Sequence, residues 1–574
     1  MKIVVAKTAG FCMGVRRAVE LALDAPSQQQ KPIFTYGPLI HNPQVLAMFV
    51  ERGITVMEKI PPKGSGTVLV RAHGVPPETK QQLKQAGFTV IDATCPRVVK
   101  VQAIIKRFAR KGFAAIIVGD QDHPEVISLQ GFAGQAGHVV GSLEALQNLP
   151  VFDQAIVVAQ TTQNERLYQQ IKTWVGEHRA HYELFDTICD STEKRQAEVR
   201  KLAHEVDAVV VVGGKSSGNT RRLAEIVSES EKCAYHVETE TELDLKALSR
   251  VQTVGITAGA STPTWIIRHV VRAIEQMPMQ TGLGWRSHLL RVQRLALLTN
   301  VYVALAAGCL SYAVMHLQHL RPSLPALSAA ILYIMSMHIL NHLTGRAEDS
   351  YNDPDRERFY SRHKRPLIFM ALAAGAIGLV AAYRMGALAF WTLLAMSLLG
   401  LSYNLRLIPS RMWPSFHFRR IKDFPGSKTI LIALAWGVVT AGLPALADAE
   451  GRWLSGTLAV ALASALAFSR TAFFDILDIQ GDRIVGKETI PILMGPVRAL
   501  KLLKVTLAGV LILLCLSAWT GIFSHLGFPL IVVPAAFWAI IVVHERDPMF
   551  SGVQLEFLVE SIFVLSGLLA FLMA

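Results

Sequence analysis

Three cysteines, Cys12, Cys95 and Cys189, lie far apart in the chain, each where a short apolar run gives way to a polar turn. Other runs end in the same manner. Thr67–Arg71 leads into Ala72-His73-Gly74, Ala114–Gly119 into Asp120-Gln121-Asp122-His123-Pro124-Glu125, and Ala155–Ala159 into Gln160-Thr161-Thr162. Val209–Val212 leads into Gly213-Gly214-Lys215-Ser216-Ser217-Gly218-Asn219-Thr220, Val254–Thr257 into Ala258-Gly259-Ala260-Ser261-Thr262, and His41 follows Leu39-Ile40. A single Ser, Thr or Asn at such a tip is explained by capping of the next helix. A set that also holds Cys, His and Glu is harder to dismiss. The cysteine spacing excludes a local zinc knuckle but suits one metal centre built from three segments, and thiolates select zinc or iron–sulfur chemistry. Cys233 lacks polar strand-end company, and Cys309 and Cys515 lie in apolar spans, so packing accounts for those.

The elements that must position these tips are strands and helices in alternation. KIVVAK, TVLVRAHG, FTVIDATC, AAIIVGD, AIVVAQTT, AVVVVGG and TVGITAGA read as buried strands, with Pro96–Arg110 and Thr192–Glu205 among the helices between them. Such alternation predicts an α/β architecture with largely parallel sheets, in which ligands bind beyond the carboxyl ends of the strands. Residues 1–278 are expected to form this domain, 279–294 a linker, and 295–574 a second domain of different character. The N-terminal MKIVVAKTAG lacks the apolar core of a secretory signal, so the first domain is expected in the cytoplasm, where thiols stay reduced.

In order, GFCMGVRRAVE, YGPLIHNPQV, RAHGV, DATCPRVVKV, DHPEV, AQTT, DTIC, GGKSSGNTRRL and GITAGAST resemble the motifs of the 4-hydroxy-3-methylbut-2-enyl diphosphate reductases, the IspH or LytB family. The resemblance implies a three-lobed α/β fold around a 4Fe–4S cluster with Cys12, Cys95 and Cys189 as ligands. It also implies reductive removal of the substrate's hydroxyl, giving isopentenyl and dimethylallyl diphosphates, with reduced ferredoxin or flavodoxin as electron donor. Glu125 is then the expected proton donor, directly or through Thr161. His41, His73, His123, Thr162, Ser217, Asn219 and Ser261 are expected to bind substrate, with Gly-rich turns offering backbone N–H groups to its diphosphate. Gly218 stands where many relatives carry a second Ser.

The formal net charge of +13 with 51% hydrophobic residues does not indicate nucleic-acid binding, because the basic residues after the linker sit between apolar spans. About nine spans of bilayer length are expected, near Leu295–Met315, Leu324–Leu340, Leu367–Tyr383, Ala387–Tyr403, Thr429–Leu446, Leu454–Arg470, Leu500–Phe523, Leu526–Val543 and Phe557–Ala574. Loops 344–366, 404–428 and 470–498 are rich in Arg and Lys, which predicts a multi-pass protein of the inner or cytoplasmic membrane with these loops in the cytoplasm. Asp475, Asp478 and Asp482 fall at i, i+3 and i+7 as a span ends, on one face of a continuous helix, an arrangement suited to Mg²⁺ bridging a diphosphate. Arg483, Lys487 and Thr489 follow as candidates to hold phosphate oxygens, while His338 and Glu560 are weaker candidates within or near spans.

This loop, with GDRIVGKETIPILMG, Tyr403-Asn404 and Lys422–Lys428, resembles the UbiA prenyltransferase superfamily. That implies an intramembrane all-α bundle transferring a prenyl group from its diphosphate to an aromatic or lipid acceptor with Mg²⁺. The superfamily's first acidic motif, NDxxDxxxD, is altered here: Asn341 and Asp349 match, but His342 and Gly345 replace acids, and Asp353 and Asp355 are the candidates to compensate. The alternative is an active reductase whose membrane half only anchors it or binds prenyl diphosphate.

Overall fold

The computed structural model describes residues 2–275, 277, 284–344, 351–403, 424, 426–448, 451–546 and 552–573. It divides into two compact units, Met1–Gln280 and Thr281–Ala574.

The first unit holds three four-stranded sheets, every pairing parallel. One is ordered β3(Ile54–Met57), β2(Ile33–Tyr36), β4(Thr67–Val70), β5(Thr89–Asp92). The next is β7(Gly137–Val140), β6(Ala114–Val118), β8(Ala155–Ala159), β9(Glu183–Leu184). The last is β11(Cys233–Val237), β10(Ala208–Val212), β12(Thr253–Ala258), β1(Lys2–Val5). The three orders are the same pattern repeated, except that the third lobe takes its edge strand from the start of the chain. Each cysteine of the expected set follows that edge strand: Cys95 after β5, Cys189 after β9, Cys12 after β1. The repeat thus carries three distant sequence positions to equivalent places. Interior strands β6, β8 and β10 are buried at every residue, as strands covered on both faces must be.

The second unit is helical. Among the described residues, seven helices are long and apolar enough to cross a membrane, and an eighth is counted if the bent pair Arg291–Leu298 and Val301–Leu317 is one span. The expected continuous span Leu295–Met315 is therefore corrected: the chain bends by 76° there. Asn300 adopts a left-handed φ of 58°, which Asn tolerates better than most residues, and a new helix starts after it. Ala387–Ser402, at 16 residues, falls short of the length of the others. Large apolar side chains such as Phe369, Trp391, Val505, Trp519 and Phe571 point outward, as lipid-facing residues do, and small residues fill the helix contacts. Gly567 is one: a Cβ there would lie 2.7 Å from the Cβ of Cys309.

Candidate functional site

Cys12, Cys95 and Cys189 are the N-caps of the helices Met13–Gln28, Pro96–Ala109 and Asp190–Glu205. A helix N-terminus favours a thiolate through its unpaired N–H groups and dipole; Val15 N–H donates to the Cys12 sulfur at 3.5 Å. All three are free thiols, half-buried, and they line one cavity. Burial raises the Cys95 and Cys189 thiols above their ordinary range, and each of the two lies within the field of Cys12. Gly14 permits the approach, since a Cβ on it would lie 2.3 Å from the Cys95 sulfur. Three convergent soft donors from three lobes fit an iron–sulfur cluster with one iron left for substrate.

The same cavity is lined by His41, His73, His123, Glu125, Thr161, Thr162, Ser217, Asn219 and Ser261, so the residues expected from sequence are brought together. Each lobe contributes from equivalent strand ends: His41, His123 and Ser217 follow β2, β6 and β10, while His73, Thr161 and Ser261 follow β4, β8 and β12. The three imidazoles form a cluster with ring centroids 4.7, 5.9 and 5.3 Å apart. Burial and one another's charge hold His73 well below the usual imidazole range, and burial lowers His41 and brings His123 to about 4. The nearby cations Arg71 and Arg221 depress His41 and His123 further. Ring nitrogens this close are also a metal-like set. The charges of Arg71 and Arg221 reach these rings and oppose a further cation there, which favours an anion.

The polar atoms agree. His41 Nε2, His73 Nδ1 and Asn219 Nδ2 are buried without a hydrogen-bond partner among the described residues, an arrangement that costs stability unless a ligand completes it. His123 Nδ1 accepts the Glu125 N–H at 3.1 Å, which leaves Nε2 to carry the proton. Ser261 Oγ donates to the His41 carbonyl at 3.1 Å and lies 3.3 Å from Ser217 Oγ. Gln160 Nε2 donates to Thr162 Oγ1 at 2.9 Å and orients it. At Gly218, a Cβ would meet His123 Cδ2 at 3.6 Å, ordinary contact, so the site has room for the Ser it lacks.

Glu125 is 2% exposed, and its carboxyl accepts the Thr161 N–H at 2.6 Å and the Thr161 hydroxyl at 2.9 Å. Burial outweighs those two bonds and pushes its pKa up to about 7. A carboxyl poised there exchanges a proton near neutral pH. The Thr161 carbonyl in turn accepts the Cys189 N–H at 2.9 Å, so the carboxyl is tied to the backbone of a cysteine. Residues that sequence did not single out complete the frame. Arg195 donates from Nη1 to the Ala258 carbonyl at 3.0 Å and from Nη2 to the Gly10 carbonyl at 2.6 Å, and Arg97 pairs with Asp190 at 2.6 Å. Arginines in charged helical or loop sequence carry no signal that separates them from solvated ones.

In the second unit the expected single helical face is corrected. The helix Trp453–Leu477 stops before Asp478, and a new one, Ile479–Ile484, carries Asp482. Asp475 accepts from the Thr429 hydroxyl at 2.6 Å, while Asp482 Oδ1 accepts from Asn352 Nδ2 at 3.1 Å and faces Lys487 Nζ at 3.5 Å. Gly481 allows the Asn352 contact, since a Cβ on it would clash at 1.8 Å. Asn341, Tyr333, His338, Thr344, Tyr403, Lys428 and Trp436 line a mostly apolar cavity. Asp349 and Gly345 lie outside the described residues. Asp353 caps the helix Pro354–Arg362 through Arg356 N–H at 3.2 Å, and Asp355 pairs with Arg294 at 3.2 Å. His342 Nε2 lies 3.2 Å from Arg356 Nη1, and Arg356 Nη2 donates to both carboxyl oxygens of Glu556, at 2.8 and 2.9 Å. Glu560, fully buried, pairs with Arg470, which stacks over Trp436 at 5.5 Å.

Residues 3–275 match the family model described as LytB protein, and residues 301–549 match that of the UbiA prenyltransferase family. Over 280 residues the chain is 44% identical to a 4-hydroxy-3-methylbut-2-enyl diphosphate reductase of Geobacter sulfurreducens, covering 48% of this chain and 98% of that protein. The reductase of Pelobacter propionicus is 41% identical over 280 residues, covering 48% of this chain and 99% of its own length. A UbiA homologue of known structure from Aeropyrum pernix K1 is 17% identical, with a TM-score of 0.38, covering 46% of this chain and 97% of that one.

Proposed function

The chain belongs to the LytB family, and from that premise we propose that its first unit converts 4-hydroxy-3-methylbut-2-enyl diphosphate to isopentenyl and dimethylallyl diphosphates. The observation that carries the reading is one cavity holding three thiols, the buried Glu125–Thr161 pair and unpartnered imidazole and amide donors. The reaction takes two electrons and two protons, leaving a C–H bond and water where the C–OH stood. Cys12, Cys95 and Cys189 would hold a 4Fe–4S cluster, which would supply the two electrons and Lewis acidity toward the substrate's hydroxyl oxygen. His41, His73, His123 and Asn219 hold the diphosphate, with Ser217, Ser261 and Thr162 at its sides. Glu125 delivers a proton to the departing hydroxyl, with Thr161 holding the carboxyl in place or passing the proton on. Burial of this pair excludes bulk water from the transfer.

The test uses the full chain, reconstituted anaerobically with iron and sulfide and driven by reduced methyl viologen. Both five-carbon diphosphates form if the reading holds; a loaded chain that forms neither overturns it.

The second unit carries a UbiA prenyltransferase family match and is a multi-pass membrane domain. We infer that it transfers a prenyl group to a membrane acceptor, with Mg²⁺ held at Asp475, Asp478 and Asp482, and that the reductase unit (1–278, joined by 279–294 to 295–574) lies in the cytoplasm. A second reading is favoured by one observation: Asp353 and Asp355, the candidates to replace the altered first motif, are engaged in helix capping and an arginine pair. On that reading the membrane unit anchors the reductase or binds prenyl diphosphate without reacting. Membranes incubated with labelled prenyl diphosphates, Mg²⁺ and lipid extract separate the two.

A further inference from the structure

We propose that the first turns of the Met13–Gln28 and Pro96–Ala109 helices form the docking face for an acidic one-electron carrier protein. The inference rests on the reductase reading above and adds where its electrons enter. Removing the hydroxyl consumes two electrons per turnover, so two carrier molecules dock in succession, each oxidised by one electron. The two protons come from the site and from water.

Electron transfer requires a close approach, and here the three cysteines are only half-buried. Gly14 packs on the Cys95 sulfur, and Arg17 Nη1 donates to the Thr94 carbonyl at 3.2 Å, so the two helices are joined at their first turns. Met13, next to Cys12, is 67% exposed. Val99, whose N–H donates to the Cys95 carbonyl at 3.0 Å, is 44% exposed. Large apolar side chains this exposed, each within one turn of a cysteine, do no work in the unit's own core.

Their surroundings are cationic. Arg16, Arg17 and Lys100 are exposed beside them, the Pro96–Ala109 helix carries basic residues but no acid, and the neighbouring acids Asp92 and Asp190 are paired with Lys80 and Arg97, each at 2.6 Å. A small apolar centre with a charged rim is the form of a transient electron-transfer interface, and a positive rim selects an acidic partner. The third helix start, after Cys189, bears Asp190 and Glu193 instead, with Asp190 held by Arg97, so the basic rim lies at the other two helix starts. An anionic bilayer would also meet a basic surface. The apolar groups here are confined to the cysteine ends of the helices, however, and the outer face of Pro96–Ala109 beyond Val99 presents Lys106 and Arg107, so it lacks the apolar stripe of a helix lying in a membrane interface.

The test compares the full chain with its Arg16→Glu, Lys100→Glu double variant and with Met13→Ser, all in nanodiscs of neutral lipid. Binding of an oxidised acidic ferredoxin is titrated directly, which requires no turnover, and rates are measured with ferredoxin and with methyl viologen as reductant. Reversing two rim charges is expected to weaken ferredoxin binding about tenfold or more, to raise its KM alike, and to flatten the salt dependence. Met13→Ser is expected to weaken binding with the salt dependence kept. Viologen-driven rates stay at the unaltered level in both variants. An unchanged ferredoxin Kd overturns the proposal, as does an equal fall in viologen-driven rate. So does loss of binding to phosphatidylglycerol vesicles at unchanged ferredoxin Kd, which assigns the face to lipid. If the unaltered chain binds ferredoxin at this face but turns over with neither reductant, the reductase reading fails and the docking face stands.

Discussion

Thr161 grips Glu125 twice, its backbone N–H donating to one carboxyl oxygen at 2.6 Å and its hydroxyl to the other at 2.9 Å. Thr161 follows β8 closely, while Glu125 lies in the first turn of the helix Pro124–Ala133 that follows the adjacent strand β6, so the paired strands and that helix start together set the distance between them. On the proposed reading this fixed pair supplies the proton, which leads to the first expectation.

The kcat/KM for the substrate should fall on the alkaline side, about tenfold per pH unit once Glu125 ionises in the free site. Its pKa of about 7 places the bend near neutrality. The stability sign follows. A carboxyl raised above its unfolded value of 4.5 contributes fully below pH 4.5, and that contribution is lost as pH rises through about 7. It amounts to roughly 3 kcal/mol on full ionisation. Chemical denaturation of the Glu125→Gln variant across this range should lack that slope, and a slope matching the unaltered chain contradicts the assignment.

Diphosphate binding should take up protons. His41, His73 and His123 are all held below the usual imidazole value in the free site, and a bound dianion favours their charged forms. Calorimetry near pH 6.5 in buffers of different ionisation enthalpy should report net proton uptake, with affinity strengthening from pH 8 to 6. Binding without any buffer dependence would show that these imidazoles stay neutral and act only as N–H donors.

Gly14→Ala should cost cluster loading more than folding. The added Cβ would meet the Cys95 sulfur at 2.3 Å, so the thiol has to move. Iron content and visible absorbance after reconstitution are expected to drop severalfold while circular dichroism is retained. Gly218→Ser, by contrast, meets only ordinary contact and should load and turn over near the unaltered level.

In the membrane unit, Asp475→Ala with Asp478→Ala should abolish Mg²⁺-dependent retention of labelled prenyl diphosphate, and with it any transfer. Asn352→Ala removes the amide that orients Asp482 and should weaken retention by about tenfold. Transfer that persists unchanged in the double variant would place the metal elsewhere.

Much of the site was legible in the sequence because parallel sheets put their chemistry at strand ends, and buried strands leave apolar runs that mark those ends. β1, β4, β5, β6, β8, β10 and β12 all read in that way. β3, β7 and β11 did not: like β1 and β5 they are partly exposed edge strands, but Thr, Gly-His or Tyr-His breaks their apolar run. β2 alternates with Thr and Tyr, whereas a strand is expected before Asp186-Thr187-Ile188-Cys189 and is found as β9, two exposed residues long. Charge partners over long separations were not legible either. Nothing local pairs Arg470 with Glu560 or Arg356 with Glu556, and nothing in Arg195 reveals that it joins Gly10 to Ala258. The bend at Asn300 was hidden inside an apolar stretch of span length, because hydropathy does not register a single left-handed residue.

The most direct measurement is product formation by the reconstituted Glu125→Gln chain with reduced methyl viologen. The account predicts a cluster absorbance equal to that of the unaltered chain and turnover reduced at least a hundredfold, the scale of a lost general acid. Near-normal formation of isopentenyl and dimethylallyl diphosphates by that variant would contradict it.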